Sequence, residues 1–265
     1  MPIHEAAGQA IHYEIRGAAS LPPMVLLHSL GANLTMWDKV AASLETNFHL
    51  LGIDFRGHGR SGLSQAPFGV GDLARDVLSI LDHLGIETAI FCGISLGGLV
   101  GIWLGENEPA RVTSLVLANT AARIGTVEGW EERIGAVREY GMDALARQTP
   151  ERWFTAPYRE AHPGEMQQIQ AMVRNTPQQG YIDCCAALRD ADLSLGLADI
   201  RVPSLVIAGT HDPATSPEQG RQLANHLGHA KYLELNASHL SAWECAAEFS
   251  AAVADFAHQP EPFHG

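Results

Sequence analysis

Gly93-Ile94-Ser95-Leu96-Gly97 has the residue types and spacing of a nucleophile held on a sharp turn. It follows the apolar run Ala89 to Cys92 and leads into a stretch of helical character, Gly98 to Glu106, so Ser95 stands between a strand's end and a helix's start. A hydroxyl projecting from such a turn needs small flanking residues, because larger ones collide with neighbouring backbone. A helix N-terminus also aims free N–H groups and a positive dipole end at developing negative charge. The chemistry implied is attack on an acyl carbon with stabilisation of the resulting oxyanion.

A serine is a weak nucleophile without a base, and a histidine base needs an acid to orient it. In a strand-turn-helix serine site the chain order is serine, acid, histidine. Asp212 lies four residues beyond the apolar run Ser204 to Ala208, and His239 lies four residues beyond Leu235. Both therefore fall in loops at the carboxyl ends of late strands, the end that also carries Ser95. Asp143, Asp183, Asp190 and Asp192 belong to a region without strands, and Asp199 precedes its strand. His226 and His229 precede the last apolar run, and His258 is near the C-terminus. Asp212 and His239 remain. His28-Ser29-Leu30-Gly31 ends the run Met24 to Leu27, and the Leu30 backbone N–H there pairs with that of Leu96 as the expected oxyanion donors. His28 reads as a structural histidine.

Gly57-His58-Gly59-Arg60-Ser61-Gly62 matches the dinucleotide-binding pattern, but Pro67, Phe68 and Gly69 intervene before the next helix at Val70. The pattern requires the helix to open on the glycines, so no nucleotide is expected. No Gly-Lys pair exists for a phosphate loop and no H-E-x-x-H occurs, so neither cofactor nor metal is expected.

These loops need a sheet to present them. Short apolar runs read as buried strands at Met24 to Leu27, Phe48 to Ile53, Ala89 to Cys92, Ser114 to Ala118, Ser204 to Ala208 and Lys231 to Leu235. Ile11 to Ile15 alternates and suits an antiparallel edge. Val70 to Leu84 places Leu73, Val77, Ile80, Leu81 and Leu84 on one helical face, with Gly85 as a stop. Strands alternating with helices predict an α/β fold with a mostly parallel, doubly covered sheet. The alternation breaks between Arg123 and Leu195, where Val127 to Tyr140, Pro163 to Arg174 and Gln178 to Leu188 have helical character. That region holds eight of the 15 arginines and two of the five tryptophans. It predicts a core of residues 1–122 and 196–265 with a helical cap over residues 123–195. Gln259 to Gly265 is expected to fray.

Composition removes several classes of function. With 265 residues and 46% apolar content, the chain can bury a large core without disulfides. A net charge of −13 and only two lysines, Lys39 and Lys231, oppose nucleic acid and acidic membranes as partners. No run approaches a membrane span, and His4, Glu5, His12 and Glu14 stand where a secretion signal would be apolar, so a cytoplasmic location is expected. Cys92, Cys184, Cys185 and Cys245 lack metal or redox spacing and read as free thiols.

Asp54-Phe55-Arg56-Gly57-His58-Gly59, the turn at Ser95, Gly209-Thr210-His211-Asp212 and Ser238-His239 occur in an order that resembles the α/β-hydrolase superfamily. Gly93 to Gly98, Asn119-Thr120-Ala121, Trp153-Phe154-Thr155 and Ala237 to Ser241 are similar to the 3-oxoadipate enol-lactonases of bacterial protocatechuate degradation. The resemblance implies an α/β-hydrolase fold in which Ser95 attacks a ring ester, His239 carries the proton and Asp212 orients His239, with no cofactor. The implied substrate is a small lactone bearing a free carboxylate. Arg133, beside Trp130, is the expected clamp for that carboxylate, with Arg123 and Arg152 as alternatives, and Trp153 is a further candidate wall. A general carboxylesterase, another small-lactone hydrolase and a cofactor-free haloperoxidase or perhydrolase share the same machinery and stay open.

Overall fold

The computed structural model describes residues 2–6 and 8–258; the tail Gln259 to Gly265, expected to fray, lies outside the described residues. Eight strands form one sheet: β1 Ile3–Ala6, β2 Gln9–Arg16, β3 Pro23–Leu27, β4 His49–Ile53, β5 Ala89–Ile94, β6 Val112–Ala118, β7 Ser204–Gly209 and β8 Ala230–Leu235. Their spatial order is β1-β2-β4-β3-β5-β6-β7-β8. β2 runs antiparallel to β1 and β4, and every pairing from β4 onward is parallel.

All residues of β5 and β7 are buried, which is what a parallel sheet covered on both faces demands of its central strands. The cover includes α1 Asp38–Leu44, α2 Val70–His83, α3 Leu96–Asn107, α8 Pro217–Leu227 and α10 Ala246–Ala257, with the short α9 Ser241–Glu244 between β8 and α10. α2 buries Leu73, Val77, Ile80 and Leu81 along one stripe, as its spacing requires, and packs on α3. α3 is buried on nearly every side from Leu96 to Gly105, so it is the innermost helix.

Register decides where the loops meet. Leu27 pairs with Ile53 and Gly93, Gly93 with Leu117, and Ala118 with Ile207, so β3, β5, β6 and β7 end level with one another. Chain order reverses between β3 and β5, and such a switch point leaves a crevice beyond the strands' carboxyl ends.

Between β6 and β7 the described residues form no strand. α4 Val127–Trp153, α5 Ala156–Ala161, α6 Pro163–Arg174 and α7 Gln178–Asp190 follow in succession, with α4 packed on α6 and α7. α4 is longer than the periodicity predicts. Gly141, with φ 72° and ψ 178°, breaks the helix after Tyr140 where the sequence reading stops, but the chain resumes helical geometry to Trp153. α7 meets the loop after β4 backbone to backbone: a Cβ on Gly57 would overlap the Gly180 Cα, and one on Gly180 would overlap the Gly57 carbonyl. These glycines therefore serve helix packing and not a phosphate cradle. Among the described residues no helix is long and apolar enough to cross a membrane.

Candidate active site

Ser95 occupies the single residue between β5 and α3, with φ 56° and ψ −114°. A non-glycine residue there costs on the order of 1–3 kcal/mol and persists only where the surroundings enforce it. The enforcement is visible. The Ser95 N–H donates to the Ala118 carbonyl (3.0 Å), and the Thr120 hydroxyl donates to the Ser95 carbonyl (2.8 Å). A Cβ on Gly93 would overlap the Gly97 carbonyl, and one on Gly97 would overlap the Leu27 carbonyl. Both flanking glycines are thus dictated by close approach.

Asp212 stands three residues beyond β7, buried, with a partner for each oxygen. Oδ1 accepts the Ala214 N–H (2.8 Å) and the Thr215 N–H (3.1 Å). Oδ2 accepts the Thr215 hydroxyl (2.7 Å), the Asn119 side-chain amide (2.9 Å) and His239 Nδ1–H (2.9 Å). Burial alone would push this carboxyl up. The nearby His239 and the hydrogen bonds from His239, Asn119 and Thr215 outweigh it, so the group is held below the usual carboxylate range. Because the carboxylate can only accept, the His239 proton is fixed on Nδ1 and Nε2 is left as an acceptor.

Asn119 is a residue that spacing alone does not reveal. It follows β6 with φ 44°, a conformation asparagine tolerates better than most side chains. Its amide also donates to the Ser238 carbonyl (3.2 Å), and its Oδ1 accepts the Ser241 hydroxyl (2.5 Å). Asn119 therefore ties the acid to the histidine loop. The sequence signal was its presence in Asn119-Thr120-Ala121 at a strand's end, and Ser241 likewise stood in the stretch Ala237 to Ser241; Thr215 gave none.

The loop after β3 is braced by two neutral histidines. His28 Nδ1–H donates to the Ser29 carbonyl (2.8 Å), and its Nε2 accepts the Phe55 N–H (2.9 Å). His58 Nε2 accepts the Gly31 N–H (3.0 Å) while its Nδ1–H donates to the Arg56 carbonyl (3.1 Å). Burial lowers both, His58 to about 3, so neither charges near neutral pH. The Gly31 N–H is thereby occupied, and among the described residues the N–H groups of Leu30 and Leu96 have no protein acceptor.

A cavity of about 530 Å³ lies over these loops, a size suited to a small ligand. Ser29, Leu30, Ser95 and His239 line it from the sheet, and Trp130, Arg133, Arg152 and Trp153 line it from α4. Leu96, in the first turn of α3, is buried and does not line it. Ser95 and His239 both line this cavity, with no hydrogen bond between their side chains. Arg133 donates to the Tyr181 hydroxyl (3.1 Å) and sits 5.7 Å from the Trp130 ring centre, and among the described residues it has no carboxylate partner. Arg123 is different: it pairs with Asp192 (3.2 Å), is exposed, and does not line the cavity. No group of three or more His, Cys, Asp or Glu side chains able to hold a metal occurs among the described residues.

Comparison with known proteins shows the family. The sequence profile described as "alpha/beta hydrolase fold" matches residues 22–245. The chain is 38% identical to 3-oxoadipate enol-lactonase 2 of Acinetobacter baylyi over 244 residues, 92% of this chain and 91% of that one. It is also 38% identical to enol-lactonase 1 of the same bacterium, over 88% of each chain. The crystal structure of the enol-lactonase from Burkholderia xenovorans LB400 superposes with a TM-score of 0.95 at 42% identity, covering 97% of this chain and all of that one. With the profile spanning most of the sequence and these relatives aligned almost end to end, the chain belongs to the α/β-hydrolase fold family and is an ester-hydrolysing enzyme.

Proposed function

We propose that this chain hydrolyses 3-oxoadipate enol-lactone to 3-oxoadipate in the bacterial cytoplasm, as a step of aromatic catabolism, with Ser95, His239 and Asp212 as its triad and residues 123–195 as a cap. The observation that carries the reading is Arg133, a guanidinium without a carboxylate partner among the described residues, facing the same cavity as Ser95 and His239. The names of the relatives, enol-lactonases aligned over nearly the whole chain, support it.

In this reading the planar fork of Arg133 grips the free carboxylate of the lactone, and Trp130 and Trp153 wall the ring. Ser95 Oγ attacks the ring carbonyl as His239 Nε2 removes its proton. The carbonyl oxygen becomes an oxyanion held by the N–H groups of Leu30 and Leu96, which need no reorganisation to receive it. Collapse breaks the bond between the acyl carbon and the ring oxygen. His239 returns its proton to that oxygen, giving an enol that tautomerises to the ketone. Water, deprotonated by His239, then cleaves the acyl-enzyme and releases the second carboxylate. Asp212 holds the imidazole in the required tautomer throughout and stabilises its charged form.

The test compares ultraviolet loss of the enol-lactone with hydrolysis of a neutral aryl ester and with peroxide-dependent halogenation. A kcat/KM for the lactone at least 100-fold above that for the aryl ester is expected. Equal values would favour a general carboxylesterase, and dominant halogenation a haloperoxidase; either result would overturn the assignment.

A further inference from the structure

Glu244, at the end of α9, spends its carboxylate on holding two stretches of main chain together. Oε2 accepts the Ser238 N–H (3.0 Å), and Oε1 accepts the Thr155 N–H (3.2 Å) and the Thr155 hydroxyl. No arginine, lysine or histidine pairs with it among the described residues. A half-buried carboxylate satisfied only by neutral donors holds them through charge-assisted hydrogen bonds, here to two backbone N–H groups and a hydroxyl on separate segments.

What it joins is specific. Ser238 and Leu240 flank His239 in sequence, and both are bonded to the segment where α4 ends. The Ser238 hydroxyl donates to the Arg152 carbonyl (3.1 Å) and the Leu240 N–H to the Trp153 carbonyl (3.1 Å). Glu244 closes the same seam from the other side, through Thr155. Trp153, in the middle of that segment, lines the cavity together with His239. The imidazole itself is held by the bond from its Nδ1 to Asp212, and on the side of the loop facing β6 Asn119 holds the Ser238 carbonyl and the Ser241 hydroxyl, so the Glu244 seam is what fixes the side facing α4.

We propose that Glu244 is a positioning residue: it locks the His239 loop to the exit of α4, so that the base and the cavity wall at Trp153 keep one spacing relative to Ser95. The proposal rests on the triad reading given above. It requires that loosening the seam harm proton transfer in both acylation and deacylation while leaving substrate binding intact.

The experiment uses the full chain with Glu244→Gln, which keeps the shape but turns one oxygen acceptor into a donor facing the Ser238 or Thr155 N–H. Ser95→Ala and Thr155→Val are measured alongside. A displacement of the base by a fraction of an ångström to 1 Å is expected to lower kcat about 10- to 100-fold. KM should stay within a factor of ~2, and the loss should be equal for the enol-lactone and for a neutral aryl ester. The downfield proton resonance of the His239–Asp212 hydrogen bond should shift or broaden in Glu244→Gln at a temperature where circular dichroism shows a complete fold. Thr155→Val, which removes only the hydroxyl, should lose several-fold in kcat with KM unchanged; it decides the matter if Glu244→Gln does not fold. Wild-type kcat and an unchanged resonance in a variant that only melts earlier would reduce Glu244 to a structural strut and overturn the proposal. Residual activity in Ser95→Ala would instead overturn the triad reading, so the two failures are separable.

Discussion

Replacing Arg133 with methionine keeps most of the side-chain volume while removing the charge and every donor. The guanidinium gives one nitrogen to Tyr181, leaving the rest of the fork free to meet a carboxylate. Hydrogen bonds to charged groups contribute about 1.5–3 kcal/mol, so kcat/KM for the carboxylate-bearing lactone should fall roughly 10- to 150-fold. Stability moves on a separate scale. The Tyr181 hydroxyl loses a donor and Trp130 loses the cation 5.7 Å from its ring centre, together about 1–2.5 kcal/mol. Assays should therefore run well below the variant's melting transition, with folding checked by circular dichroism. Initial rates on the enol-lactone and on a neutral aryl ester then separate the roles, because the neutral ester never engages a carboxylate clamp. Equal losses on both substrates would mean that Arg133 serves only the packing of α4 on α7. No loss on either would transfer the clamp to Arg152, which also faces the cavity, and not to Arg123, whose charge is already taken by Asp192.

Ser95→Ala should fold normally and relieve backbone strain little, while kcat drops by several orders of magnitude; a tenth of wild-type activity remaining would refute the nucleophile. Asp212→Asn should cost on the order of 10⁴ in kcat, because the amide can no longer accept the Nδ1 proton in the same way, and kinetics of a folded variant check it. Stability should depend on pH through His58. Its folded-state pKa is about 3 against an ordinary 6.5, so as pH falls below 6.5 the unfolded chain takes up a proton that the folded one refuses. That costs about 1.4 kcal/mol per pH unit, roughly 2 kcal/mol by pH 5, from this side chain alone. His28, also lowered by burial, adds to the slope. Urea midpoints flat between pH 7 and pH 5 would contradict both.

Much of the sheet was legible because buried parallel strands must be short and apolar: five of the six runs from Met24 to Leu235 read that way fall within a strand, and the sixth, Phe48 to Ile53, starts one residue before β4. β1 escaped notice because His4 and Glu5 interrupt it and Ile3 is 56% exposed, so no apolar run marks it. The continuation of α4 past Gly141 escaped for the opposite reason: a glycine that usually ends a helix here only bends the path. Around the cavity, Gly-x-Ser-x-Gly announces itself because its chemistry is local to five residues. Asn119, Ser241 and Glu244 do not, since each bonds to a segment distant in sequence: Asn119 to Asp212, Ser241 to Asn119 and Glu244 to Thr155. Tyr181, 48 residues from Arg133, is invisible for the same reason.

The contact between Gly57 and Gly180 bears on how this chain can be re-engineered. Helices above the sheet are natural units to exchange between relatives when new substrate ranges are sought. Here α7 is keyed to the loop after β4 by two positions with no room for a single carbon, so neither partner can acquire a side chain alone. A chimera that imports α7 with alanine at the site of Gly180 would lift the helix off the loop, whatever the quality of its new cavity lining. Transplants should therefore carry the residues around Gly57 and those around Gly180 as one cassette, although 123 positions separate them along the chain.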